Sequence, residues 1–253
     1  MSVMAGNEFP GTDQLNRLLP SAACNQLGKR IRFVDSAILP GAQYEEHIYA
    51  TGEVSTRVGS WHDLFNALVW TRFPLLKSAM NASHHAAMSQ SSKAGRGSQR
   101  DALTLFDECG VIVAAIESEP LEALSHRDWS TAFAGGADQW NMKFRVVVAG
   151  HAMMEKFLQP YKSMTANALL VKVPERLFKQ PRQELRSFLD SSLAGRLLGG
   201  RLLKTPAELS PLPMMGIPGW WHQGKQDERF YSDQQVFRPA PENFNLAPVI
   251  CLV

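Results

Sequence analysis

WHDLFNALVWTRFPLLKSAMNASHH, residues 61–85, is the stretch around which the rest of the chain reads. It sets His62, Asp63, Asn66, Lys77, Asn81, His84 and His85 among otherwise apolar side chains. Ser60 suits an N-cap, and Asp63 stands where a carboxylate completes the capping interaction. The spacing predicts a helix from Trp61 to about Trp70. Pro74 then ends or bends it by pushing Phe73 out of the helical region. Pro74 itself fits the first turn of a second helix, running to about Met88.

His62 and Asn66 are four apart and share a face, as do Lys77, Asn81 and either His84 or His85. Packed as a hairpin, the two helices would turn both faces into one cleft. An imidazole, a carboxylate, two amides and an ammonium together suit acid–base work or the binding of phosphate or carboxylate. A structural reading stands beside this one: Asp63 as a cap, the amides bonded to nearby backbone, His85 in water. The sequence leaves both open.

Beyond this stretch, residues 89–99 are polar and rich in Gly and Ser and predict a flexible loop. Arg100 and Asp101 follow, either as a ligand-holding pair or as a buried clamp. They precede a predicted hairpin of Leu103–Phe106 and Val111–Ile116, with Asp107 and Glu108 solvated in its turn before Gly110. A helix is predicted over Pro120–Phe133, stopped by Gly135-Gly136. A strand over Lys143–Val148 runs into Gly150, and a helix from His151 to Leu158 is ended by Pro160. That arrangement turns an imidazole and free backbone N–H groups toward a strand's carboxyl end, where open sheets bind ligands. Glu155 lies one turn on, and His with Glu at that spacing is a weak metal signal. A strand over Thr165–Val173 makes 143–173 a candidate parallel crossover. A helix over Pro181–Leu198 ends at Gly199-Gly200. From Pro206 a Pro-rich, aromatic tail is expected to extend and pack on the body. On the N-terminal side, residues 1–11 read as frayed and Thr12 as the cap of a first helix. Strands are predicted at Ile31–Val34 and Tyr44–Ala50, with a turn at Pro40-Gly41. These elements predict an α+β (or α/β) fold in a single compact domain with a mixed sheet.

The 253 residues carry 26 basic and 24 acidic side chains, a net charge of +2. So small an excess argues against nucleic acid or an anionic membrane as partner. Cys24, Cys109 and Cys251 form no disulfide or CxxC pattern, which favours a reducing, cytoplasmic setting. The N-terminus has no signal-like run, and no apolar stretch approaches the roughly 20 residues of a membrane span. HExxH, Walker A, GxSxG and GxGxxG are all absent.

Several longer motifs resemble one family: WHDLFNALVW, the Pro–Lys–Met–Asn element after it, RDALTLFDECGV, AGHAMMEKFLQPY, PLPMMGIPGWW and FYSDQQVFRP. Together they are similar to an uncharacterised, mainly bacterial family labelled domain of unknown function thirty twenty-five, over about residues 40–240. The resemblance implies no activity, substrate or cofactor. Its pattern falls on His62, Asp63, Asn66, Lys77, Asn81, Arg100, Asp101, His151, Glu155, Pro160, Tyr161 and Arg238. The chain departs from it at Gln223-Gly224, where the family has Asn.

His62, Asp63, Asn66, His151 and Glu155 are therefore the catalytic candidates, and Lys77, Asn81, Arg100 and Asp101 the ligand-binding ones. The function expected is a hydrolase or phosphotransfer-type enzyme acting on a small-molecule or anionic ligand. The alternative is a non-catalytic binding or assembly protein whose polar motifs form a buried network. The cofactor stays unknown, with a divalent metal admitted because HD…N…N…HH loosely resembles His-centred metal nucleases. The oligomeric state stays open.

Overall fold

A computed structural model describes residues 9–36, 43–90, 97–133 and 136–252. The first eight residues, the Pro40-Gly41 turn, most of the 89–99 loop and the Gly135 stop lie outside the described residues. The fold is α+β, and the chain groups into two units: Met1–Leu103 with Arg186–Lys204, and Thr104–Leu185 with Thr205–Val253.

The first unit holds α1 (Thr12–Asn16), β1 (Arg32–Asp35), α2 (Tyr44–Thr51), β2 (Glu53–Thr56), α3 (Trp61–Arg72) and α4 (Pro74–Gln90). Gly11, not Thr12, is the cap of α1. Strands β1 and β2 pair in parallel. Segment 44–50 is a helix where the sequence predicts a strand. Its alternation misleads because Ile48 alone is buried, so no pleated face is specified. Gly52, at φ 80°, closes the helix with a left-handed residue. A Cβ there would lie 2.4 Å from the Arg30 carbonyl oxygen, so only glycine fits. Buried Asn25 donates to the carbonyls of Ile48 and Tyr49 at 2.8 and 2.7 Å and so ties off the last turn of α2. The core beneath is Leu15, Ile31, Phe33, Ile48, Leu64 and Trp70.

Helix α3 begins as predicted, with Ser60 Oγ accepting from the Asp63 N–H at 3.2 Å. Two first-turn amides of α4, which have no partner within the helix, are satisfied from a distance. Asp190, in a later helix α11 (Arg182–Leu198), accepts from Leu76 N at 2.7 Å and Leu75 N at 3.3 Å. Burial pushes the Asp190 carboxyl up, against the pull of those N–H groups and of Arg186.

The second unit is built on β3 (Gly110–Ala115), whose six residues are all buried. It pairs antiparallel with β4 (Phe144–Val148) and parallel with β5 (Thr165–Lys172). Since β4 runs antiparallel to β3 and β5 parallel to it, β4 and β5 run in opposite directions and are not the parallel crossover predicted over 143–173. Strand β6 (Ser210–Pro213) pairs antiparallel with β5, and β7 (Val249–Cys251) adds in parallel. The Pro-rich C-terminal segment thus supplies two strands of the sheet. Its Phe230 and Phe237 also join Phe133 and Trp140 in the unit's apolar core. The helix predicted over Pro120–Phe133 is two, α6 (Glu119–Ser125) and α7 (Trp129–Ala132), and α8 (Gly136–Lys143) follows. Arg127, at φ 56°, breaks the run between α6 and α7.

The predicted hairpin is replaced by one helix, α5 (Ser98–Cys109), leading straight into β3. Ala102, Leu103 and Phe106 are buried at helical spacing, so the "turn" residues Asp107 and Glu108 form the helix's last turn. Two glycines make the junction possible. A Cβ at Gly110 would stand 2.1 Å from the Phe106 carbonyl oxygen. A Cβ at Gly150 would stand 2.3 Å from Gly110 N and 2.6 Å from the Glu108 carbonyl oxygen. Through that approach, the N–H groups of Ala149 and Gly150 both donate to the Gly110 carbonyl, at 3.0 and 2.7 Å.

Gly150→Ala should therefore destabilise the protein by more than about 3 kcal/mol, since backbone on both sides would have to shift. Gly195→Ala, in the last turn of α11 with nothing within 4 Å of the added methyl, should stabilise by up to about 1 kcal/mol. Chemical denaturation of both variants reads the contrast.

Candidate functional site

In the first unit the candidates separate by what holds them. Asp63 is taken up by Arg57: Oδ2 accepts from the Arg57 backbone N–H at 2.6 Å and from Nε at 2.9 Å, and Oδ1 accepts from Nη2 at 2.9 Å. Burial alone would raise this carboxyl, but the Arg57 hydrogen bonds outweigh it and hold the pKa below the usual carboxylate value. Asn66 and Asn81 turn toward α2. Asn66 Nδ2 donates to the Tyr44 hydroxyl at 2.8 Å. Asn81 Nδ2 donates to the Glu45 carbonyl at 2.8 Å and its carboxylate at 2.7 Å. Both side-chain oxygens are buried with no donor among the described residues. Lys77 is buried, its ammonium 5.4 Å from the centroid of the Trp70 ring, a cation–π separation. His62 is half-buried in the first turn of α3, and His84 is buried. His85 stacks on Tyr49 at 4.0 Å between centroids rather than standing in water. Arg100 and Asp101, half-buried, belong to the first turn of α5. The polar face of α3 and α4 is thus covered in part by α2, the element the sequence predicts as a strand.

In the second unit His151 opens α9 (His151–Lys156), with Gly150 as the extended N-cap. The imidazole is 4% exposed. The close pass of Gly150 over Gly110 sets it against the last turn of α5. Asp107 Oδ2 lies 3.8 Å from Nδ1 and Glu108 Oε1 lies 3.7 Å from Nε2. These are charge-pair rather than hydrogen-bond separations. Each ring nitrogen therefore faces its own carboxylate. Glu155 is half-buried one turn along α9. Beside it, Lys156 Nζ donates to Cys109 Sγ at 3.2 Å. That bond raises the Lys156 pKa against the opposing effect of burial.

The predicted residues brought together here are His151 and its helix neighbour Glu155. Asp107 and Glu108 are added to them, carboxylates that the sequence reading leaves in a solvated turn. The helical spacing of Ala102, Leu103 and Phe106 was the signal that could have found them. A divalent ion about 2.1 Å from His151 Nε2 and from a Glu108 oxygen fits their separation, so this pair could hold a metal. Beyond the C-terminal end of α9 lies a cavity of about 570 Å³, walled by Phe157, Pro160, Met215, Gly219, Trp220 and His222. That is the size of an ordinary small-molecule site. No helix among the described residues is long and apolar enough to cross a membrane.

Residues 31–241 match the family described as Protein of unknown function (DUF3025). No curated protein and no solved structure matches the chain.

The Asp63–Arg57 arrangement has a pH signature. A depressed carboxyl pKa contributes stability above the unfolded value of about 3.9, lost as pH falls through the folded pKa. Asp63→Asn should cost about 1–2 kcal/mol at pH 7, at the lower end because the Arg57 guanidinium is largely exposed. The gap to wild type should close below about pH 4, read from urea midpoints across pH.

Proposed function

We propose that this chain, which belongs to the DUF3025 family of proteins of unknown function, is a hydrolase or phosphotransfer-type enzyme with His151 as its acid–base group. The observation that carries the reading is a buried imidazole at a strand-to-helix junction with a carboxylate beside each ring nitrogen. Structural histidines are commonly satisfied by one backbone partner. Two flanking carboxylates instead favour a ring that gains and loses a proton during a reaction.

In this reading His151 takes a proton from an attacking water or hydroxyl and returns it to the leaving group. Asp107 offsets the charge that then develops on the ring, and orients Nδ1. Glu108 faces the working nitrogen, where it positions the nucleophile or shares a divalent cation with Nε2. The Lys156 ammonium stands near Glu108, close enough for its charge to be felt there. Glu155, on the same helix as His151, stays a catalytic candidate of this site, while the first unit's His62, Asn66, Lys77, Asn81, Arg100 and Asp101 stay candidates within their own unit. Asp63 is the weakest member, since Arg57 engages both its oxygens.

The second reading, a binding or assembly protein with a buried polar network, draws support from the first unit. There Asp63, Asn66 and Asn81 all bond to side chains of their own unit.

The test is hydrolysis of p-nitrophenyl phosphate, bis-p-nitrophenyl phosphate and p-nitrophenyl acetate, with and without Mg²⁺, Mn²⁺ or Zn²⁺. His151→Gln with an unaltered circular dichroism spectrum should lose at least about 100-fold in kcat/KM. Asp107→Asn should lose about 10- to 100-fold. Hydrolysis absent across the series, or undiminished in His151→Gln, would favour the second reading.

A further inference from the structure

A different part of the second unit turns two arginines toward one cavity. Arg145 belongs to β4, and Arg182 is the first residue of α11, just after Pro181. Both line a cavity of about 170 Å³, together with Asn141, Leu185 and Trp220. No lining residue is Asp or Glu, and no carboxylate pairs with either guanidinium among the described residues. Arg145 is fixed in position. Its Nη1 donates to the carbonyls of Phe144, at 2.9 Å, and Asn141, and its guanidinium stacks 4.4 Å from the centroid of Phe178. Burial lowers its pKa, and the nearby charge of Arg182 lowers it further.

Two like charges facing one cavity repel each other, and an anion between them would offset that repulsion. The remaining guanidinium donors can take oxyanion oxygens two at a time. Arg182 also opens the 17-residue α11, and the positive end of a helix favours an anion. A dianion balances both arginines, where a monocarboxylate balances one. The Trp220 indole, half-buried, supplies an apolar wall, and it also lines the larger cavity beside Phe157. The volume holds a phosphate and little more than one ring.

We propose that this cavity binds a phosphate monoester of a planar-ring compound, with the phosphate at Arg145 and Arg182 and the ring against Trp220. The site is separate from the His151 centre. Arg145 and His151 are six residues apart along an extended segment, or about 20 Å at a strand's rise. A phosphate at the arginines is therefore bound, not hydrolysed, and the site stands whether or not His151 is catalytic.

Isothermal titration of the full chain with phenyl phosphate, inorganic phosphate and phenol tests this. Phenyl phosphate should bind most tightly, inorganic phosphate more weakly, and phenol not measurably. Arg182→Gln, a change at an exposed residue, should weaken phenyl phosphate about tenfold or more, and Arg145→Gln likewise. Trp220→Leu should weaken phenyl phosphate while leaving inorganic phosphate unchanged. His151→Gln should leave the titration unaltered, which separates this site from the acid–base centre. Equal phenyl phosphate affinity in wild type and Arg182→Gln would overturn the proposal. So would phenol binding as well as phenyl phosphate, or loss of binding in His151→Gln.

Discussion

The second unit depends on a contact between two backbones. Gly110 and Gly150 pass so closely that no side chain fits at either, and two N–H groups of one segment share a single carbonyl of the other. This contact couples three events in the chain: the end of α5, the start of β3 and the turn from β4 into α9. Without it, Asp107 and Glu108 would end a helix in water, and His151 would open another helix elsewhere. With it, an imidazole is buried between two carboxylates that are 43 and 44 residues away in sequence.

The two units use buried polar groups differently. In the first, Asp63 is matched by Arg57 and by the Ser60 cap, the amides of Asn66 and Asn81 anchor α2, and Asp190 caps α4 across more than a hundred residues. A carboxylate satisfied on several sides by N–H donors has little left to offer a substrate. In the second, the carboxylates beside His151 stand beyond hydrogen-bond length from the ring, a geometry that a substrate, water or cation can tighten. Polar residues in an apolar setting are therefore not one signal. What separates the cases is the distance at which the carboxylate meets the group it faces, 2.6–2.9 Å for Asp63 and 3.7–3.8 Å for the pair beside His151.

Much of the helical order was legible. Ser60 and Pro74 mark the starts of α3 and α4 because capping and proline geometry are local effects. The approach of β4 through Gly150 to His151 was legible for the same reason: a strand, a glycine and a helix start lie within a dozen residues. What could not be read were facts of pairing. Segment 44–50 alternates like a strand, but Asn25 and Gly52 fix it as a helix from outside the window. The DECG sequence at 107–110 looks like a hairpin turn. The partner of β3 that would have closed the hairpin is instead the distant β4, and the residues before the turn bury a helical face. That single misreading also hid Asp107 and Glu108 from the candidate site. Strand β6 was obscured by Pro211 and Pro213, tolerated where no partner needs the missing N–H, and β7 by being three residues long just after Pro248.

In the proposed reaction, Asp107 and His151 act as one chemical unit. A double-mutant cycle on hydrolytic kcat/KM, with Asp107→Asn, His151→Gln and the pair, measures this most directly. Asp107 acting through the imidazole predicts that the double variant is no slower than His151→Gln alone. Losses that simply add, with each variant folded, would mean that the two residues work independently, and would contradict the account.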